Sequence, residues 1–340
     1  MATRLGPAAE ADLTTTTASA STAPPVRLWL QPAVIALVVV AAFVGCYVGL
    51  QRNPQPHRVP VAVAGQELSG EIRQVLGDSV DVHPVADAAT GRAELERRDV
   101  VAAVSGRADS DRLRLEVGGA NGQSTTTAVK SLIGAYAHGS SQRLTTVDVV
   151  PFARFDSRGL AGFYMAFGVT LAGFVLAQNA LGLANRLHLR HRFWLLSGAS
   201  VAIGIVATVI AGPILGAVPA PVVPLAFGLT LLAAAAAFTT KLLGTYLGPV
   251  GVPVATLLLL TVGNSTSGAT IGPDLLPSAA RAVSALLPPG AAVRAVTDLS
   301  YFHGAQAVQP LATLALWAVI AAVLVSLRPH LRRRPTRVTT

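Results

Sequence analysis

"FWLLSGASVAIGIVATVIAGPILGAVPAPVVPLAFGLTLLAAAAAFTT", Phe193 to Thr240, runs for 48 residues without an Asp, Glu, Lys or Arg. A helix crosses the hydrocarbon core of a bilayer in about 20 apolar residues, so one helix cannot use the whole run. Its middle supplies the break. Pro213, Pro219, Pro221 and Pro224 each remove a backbone donor and crowd the preceding turn. The run predicts two membrane helices joined by a proline-rich turn.

Working outward, four further charge-free stretches appear: Leu28 to Gln51, Gly159 to Asn185, Leu242 to Pro273 and Leu299 to Leu327. Together they predict six spans, at 28–50, 160–183, 194–215, 223–243, 247–264 and 307–327. Composition agrees, with 52% hydrophobic and 13% charged residues among 340 and a mean hydropathy of +0.55. Soluble domains carry roughly 25% charged residues.

Short cytoplasmic loops collect Lys and Arg. With the N-terminus inside, the inner segments hold eleven bases, Lys241 among them, against Glu10 and Asp12, which is the whole net charge of +9. The outer segments sum to zero. The basic excess is thereby explained by topology, and nucleic acid is not expected as a partner. The only cysteine, Cys46, lies in the first span and excludes an intramolecular disulfide. The apolar run continues past "FVGC", Phe43 to Cys46, so this stretch reads as part of an uncleaved anchor.

Residues 1–26, with "DLTTTTASASTAPP", lack the large apolar groups needed for a core and predict a disordered cytoplasmic tail. Residues 328–340 predict a basic one. Between the first two spans, 52–158 carries 26 of the chain's 43 charged residues and alternates in pattern. "VPVAVAG", "SVDVHPV", "VVAAVSG", "RLRLEVG" and "LTTVDVVPF" read as strands; "QELSGEIRQVL", "ATGRAELERRD" and "STTTAVKSLIGAYAHG" read as helices. The predicted fold is an α-helical polytopic membrane protein, six transmembrane helices with both termini cytoplasmic, carrying an inserted extracytoplasmic α/β domain. Residues 159–327 form its five-helix membrane part.

Several chemistries are disfavoured. The two lysines, Lys130 and Lys241, follow no glycine, so there is no phosphate-cradling G-x-x-x-x-G-K-[ST]. "GNSTS", Gly263 to Ser267, misses the serine-hydrolase elbow because its second glycine is displaced. His188 and His191 share a helical spacing without an accompanying carboxylate, and arginines surround them. No acid falls within a predicted span, which argues against a proton- or sodium-driven pump; Gln31, Gln178 and Asn179 are the main polar side chains at membrane depth. No catalytic residue, cofactor or metal site is expected.

Three features resemble the membrane subunits of ABC-2 type exporters, in the subgroup with a large extracytoplasmic domain, near the phage-infection-protein-like membrane proteins of Gram-positive bacteria. They are the order of one span, an α/β domain and five spans; the opening of the second span, "RGLAGFYMAFGVTLAGFVLA"; and the segment after the fifth, where Asn264, Ser267, Gly268, Leu287, Pro288, Pro289, Gly290, Tyr301 and Phe302 match the family's pattern. Ala269 departs from its second glycine.

The resemblance implies that 265–306 folds as re-entrant helices lining an exit path, with Asn264, Ser267, Gly268, Pro288, Pro289, Gly290, Tyr301 and Phe302 as an outer gate. "PSAARAVSALL" reads as an amphipathic helix, "PPG" as its break and "AAVRAVTDLSYF" as a second helix. By the same resemblance the loop Leu183 to Arg192, with Arg186, His188, Arg190, His191 and Arg192, docks a separate ATPase subunit. The expectation is a non-enzymatic exporter subunit in a bacterial cell membrane. It would pair with a second copy or a similar subunit, contact membrane lipid and move a lipophilic or lipid-linked substrate. The competing expectation is a membrane scaffold or receptor that displays 52–158 for envelope binding.

Overall fold

The computed structural model describes residues 26–52, 54–106, 111–183 and 186–332, with side chains from Leu30 to Leu327. The predicted N-terminal tail, apart from Val26, lies outside the described residues, as do the side chains of the basic C-terminal one.

Among the described residues six helices are long and apolar enough to cross a membrane, and the chain is a multi-pass membrane protein. They are α1 (Val26–Gln51); α5 (Ala161–Gly182); α6 (Leu189–Val209) with its π-helical extension Ile210–Ile214; α7 (Val222–Tyr246); the fifth span, Gly248–Ser265; and α12 (Val308–Arg332). The proline-rich break falls where expected, between α6 and α7. Three boundaries differ most from the sequence reading. Helix α6 begins at Leu189, five residues early, taking Arg190, His191 and Arg192 into its first turn, while α7 and α12 run three and five residues past their predicted ends, to Tyr246 and Arg332.

Helix α7 is the hub, packed against α5, α6 and α12. Its "AAAAAFTT" stretch makes this possible, because in a membrane helices associate by close packing of small residues. A Cβ built on Gly173 of α5 would lie 2.6 Å from the Ala233 carbonyl of α7, so only glycine fits that crossing.

The fifth span consists of α8 (Gly251–Ala255), a seven-residue π-helix at Thr256–Val262, and α9 (Gly263–Ser265). π-Helical turns are rare and concentrate at functional sites.

Residues between α1 and α5 form a five-stranded sheet in the order β2-β1-β3-β4-β5. Its elements are β1 (Val59–Ala64), α2 (Gln66–Leu76), β2 (Val80–Val85), α3 (Ala88–Glu96), β3 (Ala102–Gly106), β4 (Arg112–Val117), α4 (Gln123–Gly139) and β5 (Arg143–Asp148). β3 and β4 are antiparallel and the other neighbours parallel. Period-two alternation splits β1 between two cores: Val59, Val61 and Val63 face Leu68, Ile72 and Ile133 of α2 and α4, while Ala62 faces Leu95 of α3. The Tyr136 hydroxyl of α4 donates to Glu71 of α2 at 2.8 Å. Burial and that carboxylate push the phenol up to about 12.

Candidate functional site

The segment after the fifth span folds as a helical hairpin, α10 (Ser278–Leu286) and α11 (Pro288–Tyr301). The break between them is Leu287, whose backbone is extended; Pro288, Pro289 and Gly290 are not the break but the first turn of α11. Proline suits that position because the donor it lacks would be unpaired there anyway.

Two contacts fix how deep the hairpin reaches. The Trp317 indole N–H donates to the Leu286 carbonyl at 2.8 Å. Trp317 lies nine residues after Val308, which at 1.5 Å per residue is about 14 Å along α12, close to the middle of that span. On the other side, Ala291 and Ala292 pack with Leu229, Leu232 and Ala233 of α7, also well inside their helix. Non-helical backbone at that depth must be covered by protein or line a cavity. Arg294 meets the requirement at the tip, donating to the carbonyls of Ser284 and Ala285 at 3.2 and 3.1 Å, the negative end of α10.

The open end of the hairpin is gripped by the α/β region. Arg98 Nη1 donates to Asp298 at 2.8 Å, with both side chains largely buried. Its Nε donates to Asn121 Oδ1 at 3.3 Å, and its guanidinium lies 5.2 Å from the centre of the Phe302 ring. Gln306 donates to the Arg98 carbonyl, Arg281 to the His57 carbonyl, the His57 amide to the Asp274 carbonyl and the Gly272 amide to Ser124. Of the four non-glycine residues with positive φ, Arg98, His303 and Arg58 sit in or beside this seam. Such conformations persist only where their surroundings over-determine them.

Burial raises the Asp274 carboxyl above the usual carboxylate range, against the nearby charges of Arg281 and Arg98. Burial also raises Tyr301, whose hydroxyl faces Asp156 and accepts the Ala153 amide at 3.5 Å.

The predicted gate residues do not meet at one point: Pro288, Pro289 and Gly290 open α11, whereas Tyr301 and Phe302 lie at its far end, about 20 Å away along a 14-residue helix. Asn264 and Ser267 are 2% exposed. Asn264 ends the fifth span with neither amide atom in a geometric hydrogen bond, and the Tyr47 hydroxyl is its polar neighbour. Ser265 and Thr266 bond locally to the Val262 carbonyl. Gly268 turns with φ +83, and Pro289 packs on Gly263. Tyr301 stands edge-on to Phe152, and Phe302 lies under Arg98. Sequence reading missed Arg98, Asn121, Asp156, Arg294, Asp298 and Gln306; only the two charges in the otherwise apolar α11 signalled anything there.

The proposed coupling residues lie at the opposite end of the bundle. Arg186 and His188 are in the α5–α6 connection, while Arg190, His191 and Arg192 are helical, with the His188 and His191 rings 5.8 Å apart. Ala184 and Asn185 lie outside the described residues. Lys241, counted above as a loop charge, is instead 1% exposed inside α7 and donates to the Ala180 carbonyl at 3.4 Å, where the C-terminus of α5 supplies negative partial charge.

The sequence matches no family model, no curated protein and no solved structure. Any functional reading therefore rests on the geometry. A hairpin that dips to mid-span, closed at one end by a tryptophan hydrogen bond and at the other by an ion pair to a separate folded region, is built to hold or to move. No group of three metal-ligating side chains occurs among the described residues.

Proposed function

We propose that the chain is the membrane subunit of an ABC-type exporter, dependent on a separate ATPase and not itself an enzyme. The observation that carries this reading is the mid-span hairpin roofed by the α/β region. In the proposed mechanism the α5–α6 connection and the start of α6 receive force from the ATPase on the cytoplasmic side. Helix α7, tied to α5 by Lys241, passes it across the bundle, and the α10–α11 hairpin opens or shuts the exit.

The 52–158 region stands outside the cell, both termini stand inside, and two subunits pair around the path. A lipophilic or lipid-linked cargo suits walls of Ala, Val and Leu. The Arg98–Asp298 pair keeps the hairpin seated until the α/β region shifts, so the region is a regulator of the exit and not merely a display.

Gentle solubilisation from the native host, followed by mass spectrometry of the co-purifying proteins, tests the proposal. A stoichiometric ATPase is expected, and joint charge reversal at Arg186, Arg190 and Arg192 should release it while insertion is kept. Recovery of the subunit alone or with envelope proteins would instead support a scaffold that displays 52–158.

A further inference from the structure

Six segments meet at one small chamber: the α/β region, the linker into α5, the first turn of α5, the α6–α7 connection at Val218, the turn after the fifth span, and α11. Room for the centres of water-sized molecules totals about 40 Å³, where one water needs ~10–15 Å³ by the same measure. The chamber therefore fits a few waters or one small ion, and it is far too small for an exported amphiphile.

Its ionisable walls are the Arg98 and Arg294 guanidiniums, the Asp156 carboxylate and the Tyr301 phenol. The acceptors are largely spent. Asp156 Oδ1 takes the amides of Leu160 and Ala161 at 2.9 and 3.1 Å, and the Tyr301 hydroxyl faces the same carboxylate. Asp298, behind Arg98 and 2% exposed, is committed to that guanidinium.

The donors are not spent. Arg98 uses Nε and Nη1, and Arg294 uses Nη1 and Nη2, which leaves Arg98 Nη2 and Arg294 Nε without a partner among the described residues. The Asn121 amide nitrogen is buried with no hydrogen bond. Arg98 also acts on Arg294 as a like charge. The Asn121 donor, buried and left unmade, is costly, and beside it the two guanidiniums are cationic donors that favour an acceptor with negative charge.

We infer that the chamber binds a small monoanion, of chloride or carboxylate size, held by Arg98, Arg294 and Asn121. The anion would sit between the two guanidiniums, relieve their repulsion and fasten the α/β region to α11. Its source is either free solution or the carboxylate headgroup of a membrane amphiphile. The inference needs only the chamber, not export.

The test uses the full chain in phosphatidylcholine nanodiscs at fixed ionic strength, with thermal unfolding as the readout. Replacing sodium gluconate, whose anion is too bulky, by sodium chloride or sodium acetate should raise the midpoint saturably. Asn121→Asp places a carboxylate beside Arg98 and should weaken the anion response about tenfold or more. Oleate added to the nanodiscs in gluconate separates the sources, since a response there without one to acetate or chloride assigns the anion to a lipid headgroup. Wild-type midpoints that are equal in gluconate, chloride, acetate and oleate, or an Asn121→Asp response equal to the wild type, would overturn the inference and leave the chamber to water. Such a failure would not touch the exporter reading, and absence of an ATPase partner would not touch the anion site.

Discussion

The molecule holds two cores made on opposite principles. In the α/β region the buried residues are large and branched: Val59, Val61, Val63, Leu68, Ile72, Leu113, Leu115 and Ile133. In the bundle alanines take a larger share, with Ala166, Ala177, Ala180, Ala233, Ala236 and Ala237 fully buried between leucines such as Leu196, Leu229 and Leu232. Water drives the first, because each apolar side chain removed from it gains free energy in proportion to its area. Lipid tails offer no such gain, so the second depends on helices approaching until backbones touch. The two meet at a seam that adds polar contacts to a small apolar cluster of Ile271, Leu275, Leu276 and Ala128. There an ion pair, carbonyl contacts and a cation over an aromatic ring hold the hairpin to the α/β region.

Breaking the seam should have the largest effect. Asp298→Ala leaves Arg98 buried without its partner, and loss of one member of a buried pair costs about 3–5 kcal/mol. The double variant with Arg98→Ala should cost less than the sum of the two singles. Unfolding of both singles and the double measures this, and strict additivity would make the pair irrelevant.

Within the α/β core, Ile72→Ala should cost about 3 kcal/mol through lost burial and a cavity. In the bundle the sensitive direction reverses. Gly173→Val, which adds atoms against Ala233, should cost about 1–3 kcal/mol, read as loss of folded yield in micelles. A bundle that accepted valine there as readily as glycine would erase the contrast between the cores.

Smaller effects sharpen the picture at the hairpin. Trp317→Phe keeps the ring but removes the donor to Leu286, at about 1 kcal/mol, and should speed amide exchange in α10 before that in α7. The smallest effect concerns pH. Asp274 titrates above its unfolded value in the folded chain, so the folded state binds the proton more tightly. The associated stability is fully present below the unfolded value and is lost as pH rises through the folded one. Asp274→Asn should flatten the midpoint across that mildly acidic window and match or exceed the wild type at neutral pH; an unchanged pH profile would contradict the assignment.

Local signals account for what was legible in advance. The strands and helices of the α/β region occur in the order and at the places that periodicity indicates, though β5 stops at Asp148, four residues short of Phe152, since alternation and turn residues act over short range and fix element ends less well. The spans followed from charge-free length, and the hairpin helices from proline and amphipathicity. What stayed hidden depends on contacts far apart in sequence. Arg98 and Asp298 are 200 residues apart, and nothing near either announces the other. Lys241 looked like a loop charge because a lysine among apolar residues usually ends a span, whereas here the C-terminus of α5 satisfies it inside α7. The π-helix at Thr256–Val262 likewise has no signal in its run of leucines.

Everything proposed for the hairpin turns on its reaching the middle of the membrane. Cys46 is the only native cysteine, so a single nitroxide can be placed by Leu286→Cys in a Cys46→Ala background, with Leu316→Cys as the mid-span reference and Ser278→Cys as the surface one. Accessibility to dissolved oxygen and to a water-soluble nickel chelate is then compared in nanodiscs. A label at position 286 should match the one at 316, rich in oxygen and shielded from nickel. A label at 286 that is as open to nickel as the one at 278 would place the hairpin on the surface and remove it from any path through the membrane.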